Sequence, residues 1–125
     1  MQRAQICTVL FADIVGSSKI TADPQKTFLN GLVHDAVDRA ELKVAVLHSK
    51  TMGDGFLIIA PTASELAHFA LEVRDTFRNA DWKREGFSNP VEIRQGLDIT
   101  RVNLILNDAG QIKDATGQGL DLAAR

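Results

Sequence analysis

The sequence predicts an α+β domain with a mostly antiparallel central sheet and helices packed on one face. Three observations predict it. Runs of β-branched residues alternate with runs of apolar residues at helical spacing. Two of the β runs lie too close together for a helix to cross between them. At 125 residues, without repeats, low-complexity tracts or linker-like stretches, residues 1–125 suit a single domain. A composition of 45% hydrophobic and 24% charged residues supplies a core and excludes a disordered chain.

The elements follow in order. Ile6 to Ile14 is nearly all apolar and rich in β-branched residues, so it reads as a strand buried on both faces. Val15-Gly16-Ser17-Ser18 is a small-residue turn. Asp23 is placed to cap a helix with Pro24 in its first position. Phe28, Leu29, Leu32, Val33, Ala36, Val37 and Ala40 form that helix's apolar stripe, with Asp35, Asp38 and Arg39 largely off it. Val44 to Ser49 and Phe56 to Ala60 read as strands two and three. Gly53-Asp54-Gly55 between them signals an antiparallel hairpin. Thr62-Ala-Ser-Glu65 matches a capping box, in which Thr62 and Glu65 satisfy each other's backbone N–H groups. Leu66, Phe69, Ala70, Val73 and Phe77 give the second helix its core face, and it is expected to run to Trp82 or Lys83. Val91 to Thr100 reads as a fourth strand and Val102 to Leu106 as another β run. Asn107-Asp108-Ala109-Gly110 turns back into Gln111-Ile112-Lys113, and Leu120 to Arg125 reads as a short amphipathic helix. The order β-α-β-β-α-β, with further β structure and a last helix, matches a ferredoxin-like split β-α-β palm. A doubly wound parallel sheet does not fit the closely spaced second and third strands.

Charge and composition narrow the function. Fourteen Lys and Arg against 16 Asp and Glu give a net charge of −2, which provides no general attraction to nucleic acid or an anionic membrane. No Tyr and no alternation of aromatic and basic residues suggest nucleic-acid binding. The longest apolar run, Phe56 to Ala60, falls far short of the roughly 20 residues of a membrane span. The start lacks the apolar stretch of a signal peptide. The single cysteine, Cys7, excludes an intrachain disulfide and suits a reducing cytosol, so a cytoplasmic location is expected. His34, His48 and His68 are too scattered for a zinc motif.

Two acids stand out. Asp13, near the end of a buried strand, is costly unless paired, hydrogen-bonded or bound to metal. Taken alone, it reads equally as a structural acid held by nearby backbone N–H groups. The following Gly16-Ser17-Ser18 turn can present N–H groups to phosphate. Asp54, between two glycines, reads by itself as a turn residue. In a split β-α-β order, however, the hairpin and the first strand are sheet neighbours, and the tip can bring Asp54 beside Asp13. Two carboxylates near phosphate-binding backbone suit Mg²⁺–triphosphate chemistry, because Mg²⁺ shares its six oxygens among carboxylates, water and substrate phosphates.

These residues carry a resemblance. Phe11-Ala-Asp13-Ile-Val-Gly16-Ser-Ser18 resembles the opening metal and phosphate motif of the class III adenylate/guanylate cyclases. Lys50-Thr-Met-Gly53-Asp54 resembles their second motif, and Gly117-Gln-Gly-Leu-Asp121-Leu-Ala-Ala-Arg125 the late motif leading into their catalytic helix. The resemblance implies that Asp13 and Asp54 bind two divalent ions, Mg²⁺ or Mn²⁺, assisted by the Ile14 carbonyl. It implies that the N–H groups around Gly16, Ser17 and Ser18 hold phosphates. The expected reaction is attack of the ribose 3′-hydroxyl of ATP on its α-phosphate, with GTP as the other candidate substrate. The sites are expected at a head-to-tail homodimer interface, where the partner copy contributes Lys50 and Asp114 to base recognition. Lys50 with an acidic companion favours adenine, since a carboxylate accepts from the amino group and a lysine donates to a ring nitrogen. Arg125 falls on the position of a transition-state arginine. Asp121 stands where the family typically has a ribose-orienting Asn, and an ionised carboxylate cannot donate as an amide does.

The family's domain continues beyond this last helix, so the chain is expected to be a partial domain, either a fragment or a shortened relative. The alternative within the same fold is a non-catalytic cyclase-homology module for dimerisation or nucleotide sensing. A receiver-type phosphoacceptor would need a parallel sheet, which the adjacent hairpin strands oppose. Gly53-Asp54-Gly55-Phe56 is not the Gly-Gly-Asp/Glu-Glu-Phe signature of a diguanylate cyclase.

Overall fold

A computed structural model describes residues 1–117. The chain forms β1 (Gln2–Ile14), one 3₁₀ turn (Ser17–Lys19), α1 (Asp23–Lys43), β2 (His48–Thr51), β3 (Gly55–Ala60), α2 (Ala63–Asn79), β4 (Ile93–Leu106) and β5 (Ile112–Thr116). The strands make one sheet in the order β2-β3-β1-β4-β5, with every neighbouring pair antiparallel. This is the expected split β-α-β arrangement with one strand added beside β4.

Strand alternation gives the sheet two different faces. Leu10, Ala12 and Ile14 of β1, with Phe56, Ile58 and Ala60 of β3, lie under the helices. There they meet Leu29, Val33, Ala36, Val37 and Ala40 of α1 and Leu66, Phe69, Val73 and Phe77 of α2. The intervening residues, Cys7, Val9, Leu57, Ile59, Val102 and Leu104, form a second core, and none of the described helices lies over it. Leu47, Met52, Ile112 and Ala115 pack against that core from the ends of the sheet. The outer strands β2 and β5 approach each other, and His48 Nε2 lies 3.8 Å from Asp114 Oδ1. The sheet therefore curls, and its concave side buries its own apolar residues. Among the described residues, no helix is long and apolar enough to cross a membrane.

Several boundaries differ from expectation for definite reasons. Ala22, not Asp23, is the N-cap of α1, and no side chain caps it. Asp23 instead sits in the first turn, where a negative charge favours the helix dipole. The expected strand at Val44 begins later, because Val44 ends α1 with its N–H on the Ala40 carbonyl at 2.8 Å. Pairing starts only with the Leu47 N–H on the Ile59 carbonyl, also at 2.8 Å. The capping box is absent: Thr62 makes no side-chain cap bond, and Glu65 Oε2 accepts the Ala45 N–H at 3.1 Å. Glu65 thus ties α2 to the α1–β2 connection. Helix α2 stops at Asn79. Trp82 is buried in the turn beyond it, donating from Nε1 to the Phe77 carbonyl at 2.7 Å, edge-on to Phe28 and Phe87. The two β runs expected from Val91 to Leu106 are one strand, because β1 is long enough to pair with it from Gln2–Ile105 to Ile14–Ile93. Asn107 shapes the following turn, its Oδ1 accepting from the N–H groups of Ala109 and Gln111. The expected helix from Leu120, with Asp121 and Arg125, lies outside the described residues.

Candidate active site

The site residues collect at one end of the sheet, where β1 ends. Asp13 points to the concave face because its neighbours Ala12 and Ile14 occupy the helix side. In register, Asp13 lies opposite Gly55 of β3 on one flank and Arg94 of β4 on the other. Arg94 grips the carboxylate as a fork: Nε donates to Oδ1 at 3.1 Å and Nη2 to Oδ2 at 2.7 Å. The hydrogen bond it donates to Asp13, and that carboxylate's charge, hold the Arg94 guanidinium even more firmly protonated than usual. The Asp13 side chain is 24% exposed and that of Arg94 71%, so the pair stands at the solvent boundary.

The β2–β3 hairpin delivers Asp54 to the same end of the sheet. Its turn is closed by the Asp54 N–H on the Met52 carbonyl at 2.8 Å around Gly53, whose φ of +68° suits glycine. Gly55 is required for a different reason. A Cβ there would lie 2.1 Å from the Ala12 carbonyl oxygen, so only a bare Cα lets the hairpin dock on β1. The Ile14 N–H then donates to the Asp54 carbonyl at 2.8 Å, and Ile14 itself is buried.

The turn after β1 completes this end of the sheet. Gly16 takes φ +72° and starts the 3₁₀ turn, where the Lys19 and Ile20 N–H groups bond back to Gly16 and Ser17. The first N–H groups of such a turn have no partner within it. Ser17 Oγ donates to Asp54 Oδ2 at 2.6 Å, a short charge-assisted bond. A cavity of about 220 Å³ opens beside it, lined by Ile14, Ser17, Ser18 and Asp54 together with Ile20, Lys26, Leu29 and Asn30. A larger groove of about 690 Å³ between α1 and α2 contains none of the expected site residues.

The expected residues thus fall into separate groups. Asp13, Ile14, Gly16, Ser17, Ser18 and Asp54 come together. Lys50 and Asp114 lie elsewhere on the sheet, Lys50 opposite Leu57 on β2 and Asp114 opposite Ile105 on β5. Among the described residues, no ion pair or hydrogen bond joins Lys50 to Asp114, or either of them to Asp13 or Asp54. The companion of Asp114 is His48. Asp121 and Arg125 lie outside the described residues. Arg94 was not among the residues expected from sequence. Its signal was an arginine at the start of the strand flanking β1, legible only once the β1–β4 register is known.

The chemistry of this donor set is that of hard oxygen ligands. Among the described residues, no cluster of three or more His, Cys, Asp or Glu could by itself hold a metal. Two carboxylates at neighbouring sheet positions fit Mg²⁺ or Mn²⁺ where phosphate oxygens and water fill the remaining positions.

Comparison with known proteins agrees with the fold. The profile of the adenylate and guanylate cyclase catalytic domain matches residues 1–107. The adenylyl cyclase CyaB of P. aeruginosa superimposes with a TM-score of 0.78 at 20% identity, covering 100% of this chain and 72% of that one. The catalytic core of a rhodopsin-guanylyl cyclase with converted specificity, in complex with ATPαS, gives 0.74 at 20% identity, covering 99% and 72%. The guanylate cyclase domain of RhGC from Catenaria anguillulae, in complex with GTP, gives 0.71 at 21% identity, covering 98% and 72%. No match is found among curated protein sequences. The antiparallel split β-α-β sheet and the profile match over most of the chain lead to one conclusion: this chain belongs to the adenylate and guanylate cyclase catalytic domain family.

Proposed function

We propose that this domain, paired head to tail with a second copy, converts ATP to cyclic AMP and pyrophosphate. What supports the reading is the backbone closeness of Asp13 and Asp54, set by the Asp13–Gly55 register and the 2.8 Å bond from Ile14 N–H to the Asp54 carbonyl. Asp13 and Asp54, with the Ile14 carbonyl, would hold two Mg²⁺ or Mn²⁺ ions. Such ions supply Lewis-acid activation of the ribose 3′-hydroxyl and neutralisation of triphosphate charge.

The protein's own groups do the rest. The N–H groups of Gly16, Ser17 and Ser18 receive phosphate oxygens at the turn. Ser17 Oγ fixes one oxygen of Asp54, and the other makes no bond to the described residues. Arg94 holds Asp13 in place, and on releasing it offers the same fork to a phosphate. The 3′-oxygen bonds to the α-phosphorus, the bond to pyrophosphate breaks, and the hydroxyl proton passes to solvent. Lys50 and Asp114 of the partner copy select the base. Arg125 of that copy is assigned the transition-state charge, and Asp121 the ribose.

Two observations favour a second reading, a nucleotide-sensing or dimerising module without turnover. Asp13 is already neutralised by Arg94, and Asp121 replaces the family's usual Asn. Incubation with ATP or GTP and Mn²⁺ or Mg²⁺, with cyclic nucleotide measured beside binding calorimetry, separates the two. Product from ATP supports the cyclase, binding or self-association without product supports the module, and neither defeats both.

A further inference from the structure

We infer that His48 is a positioning residue for adenine selection: it holds Asp114 by one carboxylate oxygen and leaves the other to the base. This rests on the assignment of Lys50 and Asp114 to base recognition. Strands β2 and β5 are the two ends of the sheet and are not hydrogen-bonded neighbours. No direct ladder joins the strand of Asp114 to that of Lys50. Among the described residues, the one ion pair that spans this gap is His48 Nε2 to Asp114 Oδ1, at 3.8 Å.

The geometry assigns different duties to the two carboxylate oxygens. Oδ1 accepts the Ala115 N–H at 2.8 Å and faces His48. Oδ2 makes no bond to the described residues. An adenine amino group can donate to that oxygen, whereas guanine presents a carbonyl oxygen there and is repelled. The anchor is firmer than the group it holds, since the His48 side chain is 16% exposed and that of Asp114 54%. Next to it, Ser49 Oγ donates to Glu41 Oε1 at 2.8 Å and ties β2 to α1. The β2–β3 register places His48 and Lys50 on one side of β2, opposite Ile59 and Leu57. His48 therefore relates Asp114 to the strand that carries Lys50. At 3.8 Å the contact is too long for a hydrogen bond, and it acts as an ion pair when the imidazole carries both protons. The charged groups around it are Asp114 from β5, Glu41 from α1 and Lys50 on its own strand.

The test uses the full chain with Mn²⁺ and equilibrium binding of ATP and of GTP. His48→Leu is expected to lower the ATP-over-GTP preference about fivefold, and His48→Lys, which keeps a charge, to restore most of it. In an Asp114→Ala background, His48→Leu is expected to change nothing further. Equal weakening toward both nucleotides, or the same fivefold effect without Asp114, overturns the role. Imidazole NMR reports the contact without nucleotide: His48 resonances should move in Asp114→Asn, and their constancy overturns the role even if binding is normal. A wild-type chain that binds neither nucleotide defeats the proposed function itself and takes this role with it.

Discussion

The helix side and the concave side of the sheet are built from alternate residues of the same strands, yet they are buried by different means. Leu10, Ala12 and Ile14 are sealed beneath α1 and α2, while Cys7 and Val9 are sealed by the curl of the sheet itself. The concave rim is open where Asp13 meets solvent, while Asp54 lines a cavity together with Lys26, Leu29 and Asn30 of α1. Within one strand, Asp13 stands between two core residues, Ala12 and Ile14. The difference teaches that the helix face supplies rigidity, while the candidate site gathers at the end of β1 where the two faces meet.

Four substitutions test that division, in descending order of expected effect. Asp13→Asn should lower cyclic AMP formation by roughly 1,000-fold, about 4 kcal/mol in the barrier, with little change in Tm. Undiminished product formation would remove Asp13 from the site. Phe56→Ala, one residue pair away but on the helix face and fully buried, should cost about 3–5 kcal/mol in urea unfolding. A cost below about 1 kcal/mol would break the comparison. Gly55→Ala joins both sides, because its new Cβ collides with the Ala12 carbonyl. It should cost about 2 kcal/mol of stability and also weaken Mn²⁺–ATP binding. Loss of stability alone would show that the hairpin tip does not depend on this docking. Ser17→Ala removes the 2.6 Å bond to Asp54 and should weaken Mn²⁺–ATP binding about fivefold with Tm unchanged. No change by calorimetry would mean that Asp54 needs no support from this turn.

Much of this organisation was legible in the sequence because it is local. The apolar stripe of α1, the glycines at 53 and 55, and the β-branched run before Asp13 each express a short-range rule. The adjacency of Asp13 and Asp54 followed from strand order alone. What escaped depends on register and on competition between partners. Arg94 is distant from Asp13 along the chain, and only the β1–β4 pairing makes them face each other. Glu65 had a local partner available in Thr62, but the Ala45 N–H captured it. The break expected between Thr100 and Val102 does not occur, because β1 is long enough to pair straight through it. The pairing of Asp114 with His48 arises from the curl of the whole sheet, which no short window encodes.

That curl also bears on how the protein behaves at high concentration. A flat five-stranded sheet would present two long rows of unsatisfied amide and carbonyl groups as templates for strand addition by other molecules. Here the outermost strands span only His48–Thr51 and Ile112–Thr116 and turn toward each other. Their shortness and closeness limit the border that these two outermost strands offer to another chain.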